Sequence, residues 1–372
     1  MLDKRWPPQL LRMPKGEVRG FAESSCFFLS SEWFVNYVCD WSEKHYFAQW
    51  TRDESNSAAF AFLGVDSRAS RVGVRYKSLG FNETGDQLLQ NITLEFNDFL
   101  SPTSADDQNE PNASNFRKNL DFLLDDLLKS NVWDELRMGA LLLEHAKVVQ
   151  EQSLKHGLIF TEFSIRKSYW IDFDSLSGLG YLESRSANTR SQLRRALKST
   201  EKALGHCKVA LPSSLDEALL WLDQLGVLHQ LKWSQTGQIE GFQNPVFVSF
   251  QKKMVRQMWE TGAVQILKIS AGEAVLGYLH FYFVKGVAYF NFCGINYYQR
   301  QAAKPGLICH LLAIEYFRKM GASKYDFMGG TNQYKESLCT HHLVQQHCLV
   351  RRKRWFFILE NWLRLAKRSL KK

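Results

Sequence analysis

No run of eighteen consecutive apolar residues occurs in this 372-residue chain, so a membrane-spanning helix is not expected. No CxxC pair occurs either. The seven cysteines, at 26, 39, 207, 293, 309, 339 and 348, are odd in number and scattered. That argues against a disulfide framework and for a reducing, cytoplasmic setting. The opening MLDKRWPPQLLRMPKGEVRG lacks the apolar core of a secretory signal. Short-period repeats and low-complexity tracts are missing too.

What is there suits a globular protein. Apolar residues make up 45% and aromatics 13% of the chain, enough for a sizeable core. The length fits one large domain or two of ordinary size. The net charge of +9 suggests nucleic acid until it is located: Arg351–Lys372 holds nine Lys/Arg and one acid, Glu360, or +8 of the total. The body is nearly neutral and shows no basic groove with interleaved aromatics, so nucleic acid is not an expected partner. In the same tail Trp355, Phe356, Ile358, Leu359, Trp362, Leu363, Leu365 and Ala366 form one apolar face flanked by cations. Two arrangements answer to this: a helix lying on anionic lipid, or a C-terminal helix docked on the body with a basic outer face. The first makes the protein peripheral on the inner membrane face.

The periodicities predict mixed α/β structure twice over. A lead-in covers 1–24. A first domain over 25–165 begins with a helix from Ser30-Ser31-Glu32 through Trp33, Phe34 and Tyr37. Strands follow at 58–65, 71–76 and 92–96, a polar loop at 101–115, and helices at 116–129 and 134–156 or parts of them. A second domain over 166–350 has a strand at 170–173 and helices at 184–204, 216–233 and 246–261. Strands at 264–270, 275–284 and 287–295 are joined by the Gly-bearing turns Ala271-Gly272-Glu273 and Lys285-Gly286. A helix at 307–320 and a strand at 324–328 complete the unit.

The chemistry concentrates in Lys304–Leu338. Arg300, Lys304, Pro305, Gly306 and Leu307 open a helix whose first N–H groups suit an anion, and the same residues also serve a plain strand-to-helix loop. Asp326 ends a strand beside Gly329-Gly330, either as a general base or as a turn-fixing carboxylate. Tyr334 and Lys335 follow, as an acid and a carboxylate or phosphate contact, or as packing and solvated residues. His280 in GYLHFYF and His229 in VLHQLKW are acid/base candidates or satisfied core histidines. Arg190 and Arg194, with Lys198, make one basic helix face, a phosphate or acidic-acceptor contact or a solvated surface. His341, His342, His347 and Cys348 match no standard zinc spacing, so no metal is expected.

The second half resembles the FemAB-like branch of the GNAT acyltransferase superfamily, near the cellulose-biosynthesis-type acetyltransferase domain. The residues that carry the likeness are Ser186-Ala187-Asn188-Thr189-Arg190 with Gln192-Leu193-Arg194-Arg195, Leu228-His229-Gln230 with Trp233, and Lys304-Pro305-Gly306 with His310. Gly321, Tyr325-Asp326-Phe327 with Gly330, and Tyr334-Lys335 with Leu338 continue it. SLGFNETGD, TLEFNDFL and the stretch 30–33 extend it toward the N-terminus. The tail lies outside it.

The resemblance implies tandem GNAT-like α/β units with mostly antiparallel sheets, and N-acyl transfer from acetyl-CoA or a longer acyl-CoA to an amine on a lipid, sugar or peptide. It implies that the strand 287–295, with Asn291, pairs with the pantetheine amides and that the loop before Leu307 takes the diphosphate. Asp326 or His280 then serves as base and Tyr334 as acid, with His229 a further candidate and Arg190, Arg194 and Trp233 on the substrate side. The loop carries a single Gly306 where the GNAT pattern has a glycine-rich set. Aminoacyl-tRNA or carrier-protein thioesters are therefore the alternative donors, and a non-catalytic GNAT-like scaffold is the alternative role.

Overall fold

The computed structural model describes residues 10–12, 27–30, 33–34, 36–37, 45–51, 58–85, 89, 92, 94–100, 113–176, 178, 180–233, 241–297, 303–330 and 332–369. The chain divides into two units, 1–166 with 344–372, and 167–343. The tail and the strand before it thus belong to the first unit, whereas the sequence reading ended the second domain at 350 and set the tail apart.

The first unit contains β1 (Leu10–Arg12), β2 (His45–Thr51), β3 (Ala58–Ala69), β4 (Arg75–Phe81), α1 (Ala113–Leu128), β5 (Glu135–Leu142) and α2 (Leu143–Lys155). The first half of β6 (Ile159–Asp172) follows. Strands β2 to β4 form an antiparallel meander, and β5 then pairs in parallel with β4. In α1, Phe116, Leu120, Leu123, Leu124 and Leu127 recur at helical spacing and pack on Leu79, Phe81, Leu136 and Met138. Burial of each such side chain contributes about 1.5–3 kcal/mol.

In this unit the strand expected at 71–76 lies at 75–81, the helix expected within 134–156 occupies only its second part, and the strand expected at 92–96 is missing among the described residues. The segment 134–156 is not one helix: its first part is β5, because Leu136 and Met138 alternate into the core with Glu135, Arg137 and Gly139 on the opposite face. Strand pairing on both sides overrides the helix propensity of Glu, Leu, Arg and Met. The run 92–96 forms no strand among the described residues. Instead the neighbouring Asn97 and Asp98 hold the turn at Asn82 through side-chain and backbone oxygens.

The second unit runs from the rest of β6 through α3 (Ala187–Leu204), β7 (Cys207–Ala210), α4 (Leu215–Trp233), α5 (Pro245–Met258), β8 (Val264–Ala271), β9 (Ala274–Val284) and β10 (Val287–Ile295). Then come α6 (Pro305–Lys319), β11 (Lys324–Gly329), α7 (Gln333–Leu338) and the start of β12 (His341–Arg351). Beyond it, back in the first unit, lies α8 (Trp355–Ser369). Ser186 caps α3 by accepting from Thr189 N–H at 3.2 Å. The β9–β10 turn takes positive φ at both Lys285 (51°) and Gly286 (76°), which matches the twist of an antiparallel hairpin.

The two units repeat one plan: a three-strand meander, a helix, a strand parallel to the third, and a further helix and strand. In the second unit α6 buries Ile308, Leu311, Ile314 and Phe317 against Leu279, Phe281 and Tyr325. On the opposite face of β9, Tyr278 bonds Gln224 of α4, and Tyr282 bonds Gln251 of α5 at 3.0 Å. At Gly294 the α4 backbone lies directly on β10, since a Cβ there would meet the Leu225 carbonyl at 2.3 Å.

Candidate active site

The parallel pairing of β10 with β11 covers only Val287↔Lys324, Ala288↔Tyr325 and Tyr289↔Asp326. Beyond it each strand turns away. β10 shifts register against β9 between Phe290 and Phe292, and β11 against β6 between Asp326 and Gly329. The strands therefore part after Tyr289 and Asp326 and leave an opening that α6 approaches with its N-terminus.

The far end of β11 is strained and held. Met328 has a left-handed φ of 62°, unusual for a side chain of that size. Asp326 Oδ1 accepts from Met328 N–H at 2.8 Å. Lys335 Nζ donates to the carbonyls of Phe327 and Gly329, each at 2.7 Å. Both side chains are buried, and both hold the backbone here.

Around the opening sits a cluster of polarisable groups. His310 on α6 is buried, meets Tyr325 Oη at 2.9 Å through Nδ1, and stacks on the Tyr334 ring at 4.9 Å. Burial, with Lys335 and Lys232 nearby, pushes its pKa down to about 3. Burial and the neighbouring Cys293 and Tyr297 push the Tyr334 phenol well above its ordinary value. The Cys293 thiol is pushed up to about 11 by burial, which Lys232 and Lys335 only partly offset. All three are held neutral at physiological pH.

At the start of α6, Lys304 is exposed, left-handed (φ 55°) and without a side-chain cap, and Pro305 takes the first helical position. The N–H of Leu307 returns to Lys304 O at 3.0 Å. The Tyr297 hydroxyl lies 3.4 Å from where a Cβ on Gly306 would sit. Lys232 Nζ reaches that hydroxyl at 3.5 Å and lies 5.2 Å from the ring centroid. A helix N-terminus, a cation and a phenol thus converge where an anion would dock.

The other predicted residues are placed differently. His280 is fully buried, stacks on Phe292 at 4.5 Å, and among the described residues has no hydrogen-bond partner for either ring nitrogen. Burial pushes its pKa down to about 3, and its ring packs on Phe292 and Tyr282. His229 is half-buried against Phe242 and Gly241, with its pKa lowered to about 4 by burial and Lys232. Asn291 points its amide toward Gln251 of α5 at 3.4 Å. Arg190 donates to the Glu183 carbonyl at 3.1 Å, and Arg194 pairs with the Glu183 carboxylate at 2.9 Å on an exposed surface. That basic face is a solvated, locally paired one. Arg300 and the Trp233 side chain lie outside the described residues.

Cys293, Tyr297 and Lys232 join the site without having been singled out. Lys232 sits beside Trp233 at the end of α4, and Tyr297 directly follows β10, so position relative to element ends was their only signal. An open cavity of about 490 Å³ lies along α5, lined by Phe242, Pro245 and Lys252 among others, and none of the residues at the opening lines it. Among the described residues, no group of three or more His, Cys, Asp or Glu is disposed to hold a metal ion.

Residues 187–336, from the first turn of α3 into α7, match the acetyltransferase (GNAT) domain model. That segment lies within the second unit and is similar to GNAT acetyltransferase domains. The fold is similar to the C-terminal domain of a putative lysylphosphatidylglycerol synthetase from Agrobacterium fabrum, with TM-score 0.51 and 9% identity over 91% of each chain. It is similar to a conserved protein of unknown function from Bacteroides thetaiotaomicron, again at TM-score 0.51 and 9% identity, over 92% of this chain and 99% of that one. No curated protein matches the chain.

Proposed function

We propose that the second unit moves an acyl group from an acyl-CoA-type thioester to a primary amine. The observation that carries this reading is the parting of β10 and β11 beside the N-terminus of α6, within the GNAT segment. The donor's amides lie along the β10 backbone around Asn291. Its diphosphate lies on the first turn of α6, from Lys304 to Leu307, with Lys232 and Tyr297 alongside. Two cations and a helix N-terminus there make up for the single Gly306.

The amine nitrogen attacks the thioester carbonyl carbon, and the carbon–sulfur bond breaks. Tyr334, still protonated when the thiolate forms, gives its proton to the sulfur. It is restored by the proton that the attacking nitrogen loses. Asp326 and Lys335 set the end of β11, and His280 takes no part. No cysteine need act as a nucleophile, and the raised Cys293 pKa fits that. The near-neutral body favours a thioester donor over aminoacyl-tRNA.

The test is thermal unfolding of the full chain with CoA, acetyl-CoA and long-chain acyl-CoA, followed by thiol release with an amine panel. A donor at a hundredfold over its Kd adds about 2.7 kcal/mol, which raises Tm by several degrees. Lys232→Ala weakens that shift, and Tyr334→Phe keeps it while slowing thiol release by about 10²-fold. No stabilisation by any of the three donors overturns the reading. Binding without thiol release favours the scaffold alternative.

We also propose that α8 lies on an anionic membrane surface. Trp355, Ile358, Leu359, Trp362 and Leu363 are all exposed, between 40% and 70%, and cations flank them in sequence. No helix among the described residues is long and apolar enough to cross a membrane.

A further inference from the structure

One ring sits in the wedge where β10 and β11 part. Phe290 is the first residue of β10 beyond the parallel pairing, and Phe327 is the first of β11. Both pack on His310 of α6, with ring centroids at 4.7 and 5.5 Å. Tyr334 of α7 covers another side, 4.9 Å away and tilted by only 26°. His310 thus lies between the two diverging strands rather than to one side of them.

The two nitrogens of this ring have different surroundings. Nδ1 meets Tyr325 Oη at 2.9 Å. Tyr325 is fully buried, and its hydroxyl has no other hydrogen-bond partner among the described residues. A buried O–H left undonated is costly. Tyr325 therefore donates and Nδ1 accepts. A neutral imidazole has one N–H, and with Nδ1 accepting, that proton is on Nε2. Nε2 has no partner among the described residues, yet it is not sealed in as both nitrogens of His280 are. The residue is only 3% exposed, and the space beside it is the wedge between the strands.

The ring also stays neutral. Burial, with Lys335 and Lys232 nearby, holds its pKa down at about 3. Carrying its one proton, Nε2 cannot take another from an amine, so His310 is no general base. It offers a fixed, uncharged donor in a site that excludes water.

We propose that His310 is a catalytic residue that donates its Nε2–H to the thioester carbonyl oxygen, with Tyr325 the positioning residue that fixes the tautomer, a role that rests on the acyl transfer proposed above. As the amine nitrogen attacks the carbonyl carbon, the π pair moves onto the oxygen, and this N–H stabilises the charge that forms there. The pair returns as the carbon–sulfur bond breaks, and no proton leaves His310. Tyr334 protonates the sulfur. Two stacked neutral rings thus serve the two atoms that gain charge, the oxygen and the sulfur.

The test has a spectroscopic and a kinetic arm, both on the full chain. Nitrogen-15 NMR of histidine-labelled protein shows a His310 ring protonated on Nε2 alone, unchanged from pH 8 down to pH 5, and assigned by its loss in His310→Gln. In Tyr325→Phe the form protonated on Nδ1 appears. His310→Ala slows thiol release by about 10²-fold and leaves the donor KM within about threefold. His310→Gln, whose amide nitrogen can stand in for Nε2, recovers about tenfold of that loss. Tyr325→Phe lowers kcat by about tenfold, because part of the population holds the wrong tautomer; it removes a single oxygen and carries the kinetic arm where His310→Ala proves destabilising. A ring protonated on Nδ1 in the unaltered protein overturns the proposal whatever the kinetics. Full rates in both His310→Ala and Tyr325→Phe overturn it while leaving acyl transfer standing. Unaltered protein that releases no thiol with any donor and amine overturns the acyl-transfer reading and this role together.

Discussion

Asp326 and Lys335 show how the same side chain answers to two roles until its partners are known. Asp326 accepts one backbone N–H in a buried turn, a task asparagine can take over through its carbonyl oxygen while alanine cannot. Asp326→Asn is therefore expected to retain turnover within about threefold, and Asp326→Ala to lose about 1–3 kcal/mol of stability, read by urea unfolding. A drop of 10² or more in turnover for the asparagine variant with unchanged stability makes Asp326 the base. The buried histidines give a pH signature. His280 and His310 have folded pKa values of about 3, below the ordinary 6.5, so the unfolded chain binds more protons between those limits. Stability is thus full above pH 6.5 and falls as pH drops toward 3, by about 1.4 kcal/mol per pH unit for each histidine. Unfolding midpoints measured at pH 7.5, 6 and 5 check the sign; a flat profile means that the rings are solvated.

Among the elements, α8 carries the clearest division of faces. Phe356 and Phe357 pack on Tyr76, while Trp355 and Trp362 stand 64% and 70% exposed. Deleting the tail would destroy the packed face along with the exposed one, so the exposed face alone should be changed. The double substitution Trp355→Glu with Trp362→Glu is expected to reduce sedimentation with phosphatidylglycerol vesicles at least tenfold and to leave Tm within about 3 °C. Undiminished sedimentation removes the membrane role. Helices and meander strands were legible from periodicity because each presents one face to one core: 264–270, 275–284 and 287–295 differ from the observed strands by a residue at most. The segment 134–156 was legible only in its helical second part, 143–155. Its residues favour helix, and only β4 on one side and β12 on the other make Glu135–Leu142 a strand.

For the molecule as a whole, the first unit is completed by residues 344–372, which follow the second unit in the chain. β12 brings Arg351 to Glu135, a carboxylate 1% exposed. A chain ending at Leu343 leaves that carboxylate buried and unpaired, at a cost of about 3–5 kcal/mol, besides the lost strand pairing. Such a truncation is expected to lose the cooperative unfolding of the first unit in calorimetry while acyl-CoA binding by the second persists. Two intact transitions would mean that β12 is dispensable.

The sequence by itself determined the α/β class, the helices and strands of the second unit, the acyltransferase resemblance and the placement of charge in the tail. All of these follow from local periodicity and short motifs, which neighbouring residues encode directly. The tertiary structure decided which polar groups hold backbone and which face open space. Asp326, Lys335 and His280 are taken up by buried turns and aromatic packing. Lys232, Tyr297 and Cys293 come to the opening, and His310 comes to lie between the strands there. Those assignments depend on where β10 parts from β11, and strand divergence is set by contacts between residues far apart in the chain.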